Sequence, residues 1–216
     1  SMFDFAIGNQ NGIIVKGINN NSDDKSGAKM AENIVNVYNE IKSVNENAID
    51  GIFLSNHDVG RAAGFLLRKD ERVKLAAGIQ ILTTGNVFVY YGDELGMGGS
   101  GKDENKRAPM YWSKDDKAEG MCKGPADMED FQMKFDSLEE QQEDPDSIYN
   151  YVKQVIRIRN QNPAIARGTT TYLEQYSGEQ CFALTRSYED STLLLLGNTS
   201  AEPASVDLSG LTVGNT

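Results

Sequence analysis

Apolar positions fall into blocks along the chain, and the spacing within each block predicts its element. Residues 2–7 (MFDFAI) form a short apolar run that predicts a buried strand. The polar, Gly- and Asn-rich stretch 8–27 predicts a loop, with the NNNSDD run at its centre. Over 28–45 the period is helical, with Ala31, Ile34, Val35, Tyr38 and Ile41 on one face. AIDGIFLS (48–55) is a compact apolar run that ends in Asn56, His57 and Asp58. A second helix is expected over 70–84, burying Val73, Ala76, Ala77, Gln80 and Ile81. NVFVYY (86–91) is another continuous apolar run, closed by Gly92, Asp93 and Glu94. The order strand–helix–strand–helix–strand, with strands apolar throughout, predicts a parallel sheet covered on both faces.

A long polar stretch, 96–143, separates this unit from the next helix, and a connection of that length is usually functional or mobile. Asp144 and Pro145 read as an N-cap and first-turn proline. The helix behind them carries Ile148, Val152, Val155, Ile156 and Arg159 in register until Asn162-Pro163 stops it. Beyond Gly168 the pattern changes to short β-rich runs, TTTYLEQY, CFALTRSY, TLLLLGN and ASVDL. These predict an antiparallel meander and a second unit at 169–216. The Asn/Asp run at 19–24 and the acidic run at 139–146 read as solvated linkers.

Composition narrows the function. Of 216 residues, 21 are Lys or Arg and 32 are Asp or Glu, a net charge of −11. That balance argues against sequence-independent nucleic-acid binding and against docking on anionic membrane. No run approaches the roughly 20 apolar residues of a membrane span, and no basic-then-apolar leader opens the chain. Cys122 and Cys181 make no disulfide framework and no zinc-ligand spacing, so no metal ligand is assigned. There is one histidine, His57.

Three clusters could carry chemistry. In parallel α/β folds ligands bind where strands end, which places Asn56, His57 and Asp58 at such an opening; the same triplet would also cap a turn. Asp93 and Glu94 repeat the arrangement on the next strand, and two strands ending in carboxylates would converge on one site. Carboxylates there suit acid/base work on an ether-like bond or stabilisation of positive charge; the alternative is a pair that binds backbone amides or an arginine. RAPMYW (107–112) adds a cation and aromatic rings, equipment for stacking on a sugar and binding its hydroxyls. Trp112 taken alone reads rather as an anchor for its loop.

FLSNHDVGR, VFVYYGDELGM, DENKRAPMYW and DPDSIYNYVKQVIRIRNQNPAIARG, in that order, resemble the last third of the α-amylase family catalytic domain. The resemblance covers about residues 1–168. It implies an α/β fold: strands 6–8 with their helices, the C-terminal portion of a (β/α)8 TIM barrel, followed from 169 by an antiparallel β-sandwich-type domain. MFDFAI would be the sixth strand, GIFLSNHD the end of the seventh and VFVYYGDE the eighth. By the same resemblance Asp58 stabilises the transition state and is neither nucleophile nor proton donor. His57 binds sugar hydroxyls at the cleavage point, Asn56 supports the loop, and Arg61 continues the motif among the substrate-binding residues. Glu94, Asp93, Arg107 and Trp112 would support the rim.

The implied reaction is retaining hydrolysis of α-1,4-glucosidic bonds in starch or maltooligosaccharides. It needs a nucleophilic Asp and a proton-donating Glu with carboxyl groups about 5–5.5 Å apart. In the family these come from strands four and five, which this chain lacks; Asp4 matches neither motif. The expectation is therefore an inactive fragment of a glycoside hydrolase, with an α-glucan as substrate. Its partner would be the missing N-terminal barrel half or a second copy of itself, since cut barrel strands leave unpaired edges. No cofactor is identified in the chain; a Ca2+ ion belongs, by resemblance, to the full-length parent. A non-catalytic amylase-like carbohydrate-binding or assembly module is the alternative, as is a self-sufficient sugar-binding domain. The compartment stays open between exported and cytoplasmic.

Overall fold

Two short parallel strands form the sheet of the first part of the chain. In the computed structural model, which describes residues 3–20, 26–178 and 180–211, β1 (Gly51–Phe53) pairs with β2 (Asn86–Phe88). Gly51 lies opposite Asn86 and Phe53 opposite Phe88. The parallel pairing is as expected, but both ladders are shorter than their apolar runs.

The strand expected at 2–7 is reduced to a single parallel bridge from Phe3 to Gly51, with Asp4 N donating to Gly51 O at 2.9 Å. Met2 lies outside the described residues. The reason is Asp4: its Oδ1 accepts from Ala6 N at 2.6 Å and Ile7 N at 3.1 Å, which turns the chain out of the ladder. The sheet is also not covered on both faces. β1 is buried throughout, but Phe3 is 54% exposed, Phe5 55% and Phe88 45%. These rings pack edge-on against each other and around Phe53 at centroid distances of 4.8–5.5 Å.

Helices cover the other side. α1 (Ile13–Asn19) falls where a loop was expected, and it buries Ile14, Val15 and Ile18. α2 (Ser26–Val44) presents Met30, Ala31, Ile34 and Val35 to the core. The 21–24 part of the Asn/Asp run lies outside the described residues. Gly17 explains how closely α1 and α2 meet: a Cβ there would stand 2.6 Å from Met30 Cβ. α3 (Ala62–Phe65) follows β1. α4 (Asp70–Leu82) opens with Asp70 and Glu71 against its dipole and buries residues on nearly every side, Gln80 included. The Gln80 amide is satisfied by donating to Phe88 O at 3.0 Å, which ties α4 to β2.

The 96–143 connection is packed rather than loose. It carries α5 (Asp103–Lys106) and α6 (Leu138–Glu143). Leu95, Met97 and Ala108 form a separate small core with Met128, Phe131 and Met133 around them. The acidic run expected as a linker is thus partly α6, capped by Ser137, whose N–H donates to Glu140 Oε2 at 3.2 Å. α7 (Ile148–Gln161) has Ser147, not Asp144, as its N-cap: Ser147 Oγ accepts from Asn150 N at 3.1 Å. Asp144 instead ends α6. Pro163 starts α8 (Pro163–Arg167) at a position where its missing N–H costs nothing.

β3 (Thr169–Tyr172), β4 (Cys181–Tyr188) and β5 (Ser191–Asn198) form the expected antiparallel meander in the order β3–β4–β5. The strand expected at 204–208 does not form; Pro203, with no N–H, precedes it, and Asp207 Oδ1 accepts from Ser209 N instead. β4 packs on α2 and α8, and Phe182 and Leu184 join the main apolar core with Ile34, Ile52 and Val155. No helix among the described residues is long and apolar enough to cross a membrane.

Candidate functional site

Both strands deliver polar residues to the same end of the sheet. β1 runs on through Leu54 and Ser55 into Asn56, His57 and Asp58, and β2 runs on through Tyr90 and Tyr91 into Asp93 and Glu94. Ser55 joins the two, its hydroxyl lying 2.6–2.7 Å from the Asp93 carboxylate oxygens. Asn56 shapes the turn: its Oδ1 accepts from Asp58 N at 2.8 Å and Val59 N at 3.0 Å. That turn leaves His57 and Asp58 facing solvent, with side chains 60% and 69% exposed. His57 Nε2 stands 3.4 Å from Asp58 Oδ1, and Arg107 Nη2 approaches the same oxygen to 4.0 Å.

Arg107 arrives on α5 and the segment behind it. Tyr90 Oη donates to Lys106 O at 3.2 Å, and Tyr91 Oη donates to Ala108 O at 2.9 Å. Lys106 Nζ in turn donates to Asp58 O at 2.8 Å and pairs with Asp103 at 2.9 Å. The tyrosine doublet at the end of β2 therefore pins the segment that brings Arg107 to Asp58.

Arg61 sits beneath this rim and is fully buried. Its guanidinium lies 4.4 Å from the ring centroids of both Tyr90 and Tyr91, and its Nη1 donates to Tyr91 O. Its backbone N–H donates to Gly99 O at 2.8 Å. This enclosed side chain holds the rim together and offers no surface to a ligand, unlike the substrate contact expected of it. Gly92, at φ +86°, lets the chain turn between Tyr91 and Asp93, and a Cβ there would meet Met97 Sδ at 2.3 Å.

Asp93 is half-buried below the opening, and burial pushes its carboxyl up to about 7. The neighbouring Glu94 acts in the same direction, while the Ser55 hydroxyl and the Arg61 charge oppose it. Glu94 turns inward, with Oε2 buried and unpartnered. Trp112 is 43% exposed: its carbonyl accepts from Glu139 N at 3.0 Å and its indole lies against Gly120. Of the expected residues, the fold thus brings His57, Asp58 and Arg107 together, with Asn56 supporting them. Asp93 and Glu94 lie below, and Trp112 lies in its loop. Ser55, Tyr90, Tyr91 and Lys106 were not anticipated; the tyrosine doublet ending an apolar run was the one visible signal.

The rim is an open surface, and the larger cavities lie at the opposite, N-terminal ends of the strands. Among the described residues no group of three or more His, Cys, Asp or Glu comes together to hold a metal ion, so no Ca2+ position is assigned.

The family model for the alpha amylase catalytic domain matches residues 15–168. The alpha-amylase SusG of Bacteroides thetaiotaomicron is 30% identical over 166 residues, covering 76% of this chain and 23% of that protein. Alpha-amylase 3 of Dictyoglomus thermophilum is 30% identical over 154 residues, 71% of this chain and 31% of that protein. Among solved structures, Eubacterium rectale Amy13B superposes with a TM-score of 0.93 at 43% identity, covering 98% of this chain and 41% of that one. The chain thus spans about a quarter to two fifths of the relatives it matches. Its fold is part of the alpha-amylase catalytic domain, of the TIM-barrel type, and the chain belongs to the alpha-amylase family of glycoside hydrolases.

Proposed function

We propose that this chain is the C-terminal part of a retaining α-glucan hydrolase, an α-amylase acting on α-1,4 bonds of starch and maltooligosaccharides. Phe3 with its neighbours, β1 and β2 would be the sixth, seventh and eighth barrel strands. The observation that carries the reading is the exposed His57–Asp58–Arg107 cluster, at 3.4 and 4.0 Å, on the C-terminal ends of parallel strands.

In this reading Asp58 presents its carboxylate to sugar hydroxyls and to the positive charge of an oxocarbenium-like transition state. Arg107 holds that carboxylate in place, and His57 binds neighbouring hydroxyls. Asn56 fixes the turn, Arg61 fixes the rim from below, and Asp93, Glu94 and Trp112 support it. A nucleophile and a proton donor would come from outside the chain, so the 216-residue polypeptide binds glucan weakly and does not cleave it. The exposed ring cluster of Phe3, Phe5 and Phe88 is the surface that the rest of the barrel, or a second copy, covers. The 169–211 sheet begins the domain that follows the barrel. Any Ca2+ site would lie in the rest of the parent protein.

The test is titration of the chain with maltoheptaose beside a reducing-sugar assay on soluble starch. Weak saturable binding that His57→Ala and Asp58→Ala abolish, with no new reducing ends, is the expected result. Turnover by the isolated chain, or binding that ignores both substitutions, would refute the reading. Intact binding by the parent protein without any turnover would favour the non-catalytic module.

A further inference from the structure

A cavity of about 460 Å3 lies at the end of the strands opposite the rim. Four cations border it: Lys42 near the end of α2, Arg159 on α7, Arg167 closing α8 and Arg186 on β4. Arg186 is 1% exposed. Its Nη1 donates to Thr170 Oγ1 and its Nη2 to Ile165 O at 2.6 Å, while its Nε has no partner. Arg159 donates to Ile81 O at 2.7 Å and Gly85 O at 2.6 Å. All of these acceptors are neutral. Among the described residues no carboxylate pairs with Arg159, Arg167 or Arg186.

A chain with net charge −11 thus gathers four cations around one hollow, and among the described residues none of its three arginines is in an ion pair. Burial lowers the Arg186 guanidinium to about 10, and the nearby Arg159 charge works in the same direction. Two carboxyls also touch the wall. Glu46 is exposed at the surface, and Asp50 is pushed up to about 7 by burial and by Asp4 beside it. Buried guanidinium groups held only by neutral acceptors, as Arg159 and Arg186 are, are costly, and an anion that entered would relieve that cost; Lys42, which donates to Glu46 O at 2.8 Å, stands beside them.

We propose that this cavity binds a phosphate group, free or esterified to a small metabolite, with Arg186 and Arg159 at its floor and Lys42 and Arg167 at its mouth. Phosphate fits better than a single carboxylate because four cations call for more than one negative charge. A phosphate monoester carries about −1.5 to −2 near neutrality and accepts the paired N–H groups of arginine. The site is separate from the His57–Asp58 rim and does not depend on the hydrolase reading.

Isothermal titration of the chain with inorganic phosphate, and separately with a hexose 6-phosphate, tests it. Saturable binding of one phosphate per chain is expected. The Lys42→Ala, Arg167→Ala double variant should bind about tenfold more weakly or worse, with its unliganded melting temperature unchanged, since Arg167 is exposed and Lys42 half-buried. Arg186→Gln, if it folds, should remove binding. Tighter binding of the hexose phosphate identifies an ester as the natural source, and equal binding identifies free phosphate. Absence of saturable heat with either probe, or equal affinity in the double variant, would overturn the proposal.

Discussion

Replacing Asp93 by Asn removes one ionisation from the strand ends while leaving an oxygen for the Ser55 hydroxyl. Asp93 has a folded-state value of about 7 against an ordinary 3.8, with burial as the main cause. Between those two values the native chain holds a proton that the unfolded chain has released. Stability is therefore full below about pH 4 and falls as pH rises through 7, by at most ~1.4 kcal/mol per pH unit. Over about three units the loss is bounded near 4 kcal/mol. Because Asp93 is not wholly enclosed, solvent screening brings the working figure to about 2 kcal/mol. Asp50, also raised to about 7, titrates in parent and variant alike and cancels in the difference. Urea unfolding followed by circular dichroism from about pH 4 to pH 8 measures this directly. Asp93→Asn should match the parent near pH 4 and exceed it by about 2 kcal/mol at pH 8. Parallel curves, or a variant less stable at pH 8, would refute the assignment of the buried proton to Asp93.

Gly17→Ala should destabilise by about 1–3 kcal/mol through overpacking against Met30, and Met30→Ala should recover part of that loss in a double-mutant cycle of urea midpoints. The chain should self-associate in size-exclusion chromatography with light scattering, and Phe3→Lys with Phe88→Lys should shift it toward the 23.7 kDa monomer. A parent chain already monomeric would count against the exposed-edge argument.

Helices with a clean apolar period were legible in the sequence. α2, α4 and α7 appear where Ile34, Ala76 and Val152 repeat, because each element is decided by which face meets the core. α1 was hidden by Gly12, Gly17 and Asn19, residues that favour loops on their own. Its helix is secured by burial of Ile14 and Ile18 against α2, a tertiary gain that no local propensity reports. The strands were overread for a related reason. An apolar run marks where burial is wanted, while ladder length depends on partners. Val89 and Tyr90 continue the apolar run of a strand, yet the ladder stops at Phe88 opposite Phe53.

At the site, the adjacency of Asn56, His57 and Asp58 was visible because it lies within one turn. The approach of Arg107 to Asp58 spans almost fifty positions and was not legible; the sequence offered only a cation near carboxylates and, by resemblance, a rim support. The burial of Arg61 was invisible, since an arginine after a polar triplet reads as surface. It took the two tyrosine rings, thirty positions on, to enclose it.

The small core of Leu95, Met97 and Ala108 stands apart from the main one, bridged to it by residues such as Gln141, which donates to Leu95 O at 3.0 Å. Two separately filled cores predict separate opening, so amide exchange within 96–143 is expected to differ from that of α2, α4 and α7. Arg107 and Trp112 ride on that segment, whereas His57 and Asp58 are rooted in the strand end beside it. Sequence change within the segment can therefore remodel half of the rim while the scaffold under the other half keeps its folding free energy. What such a rim grips can then vary with the segment, subject to the few hydrogen bonds by which Tyr90, Tyr91 and Lys106 tie it to the strand ends.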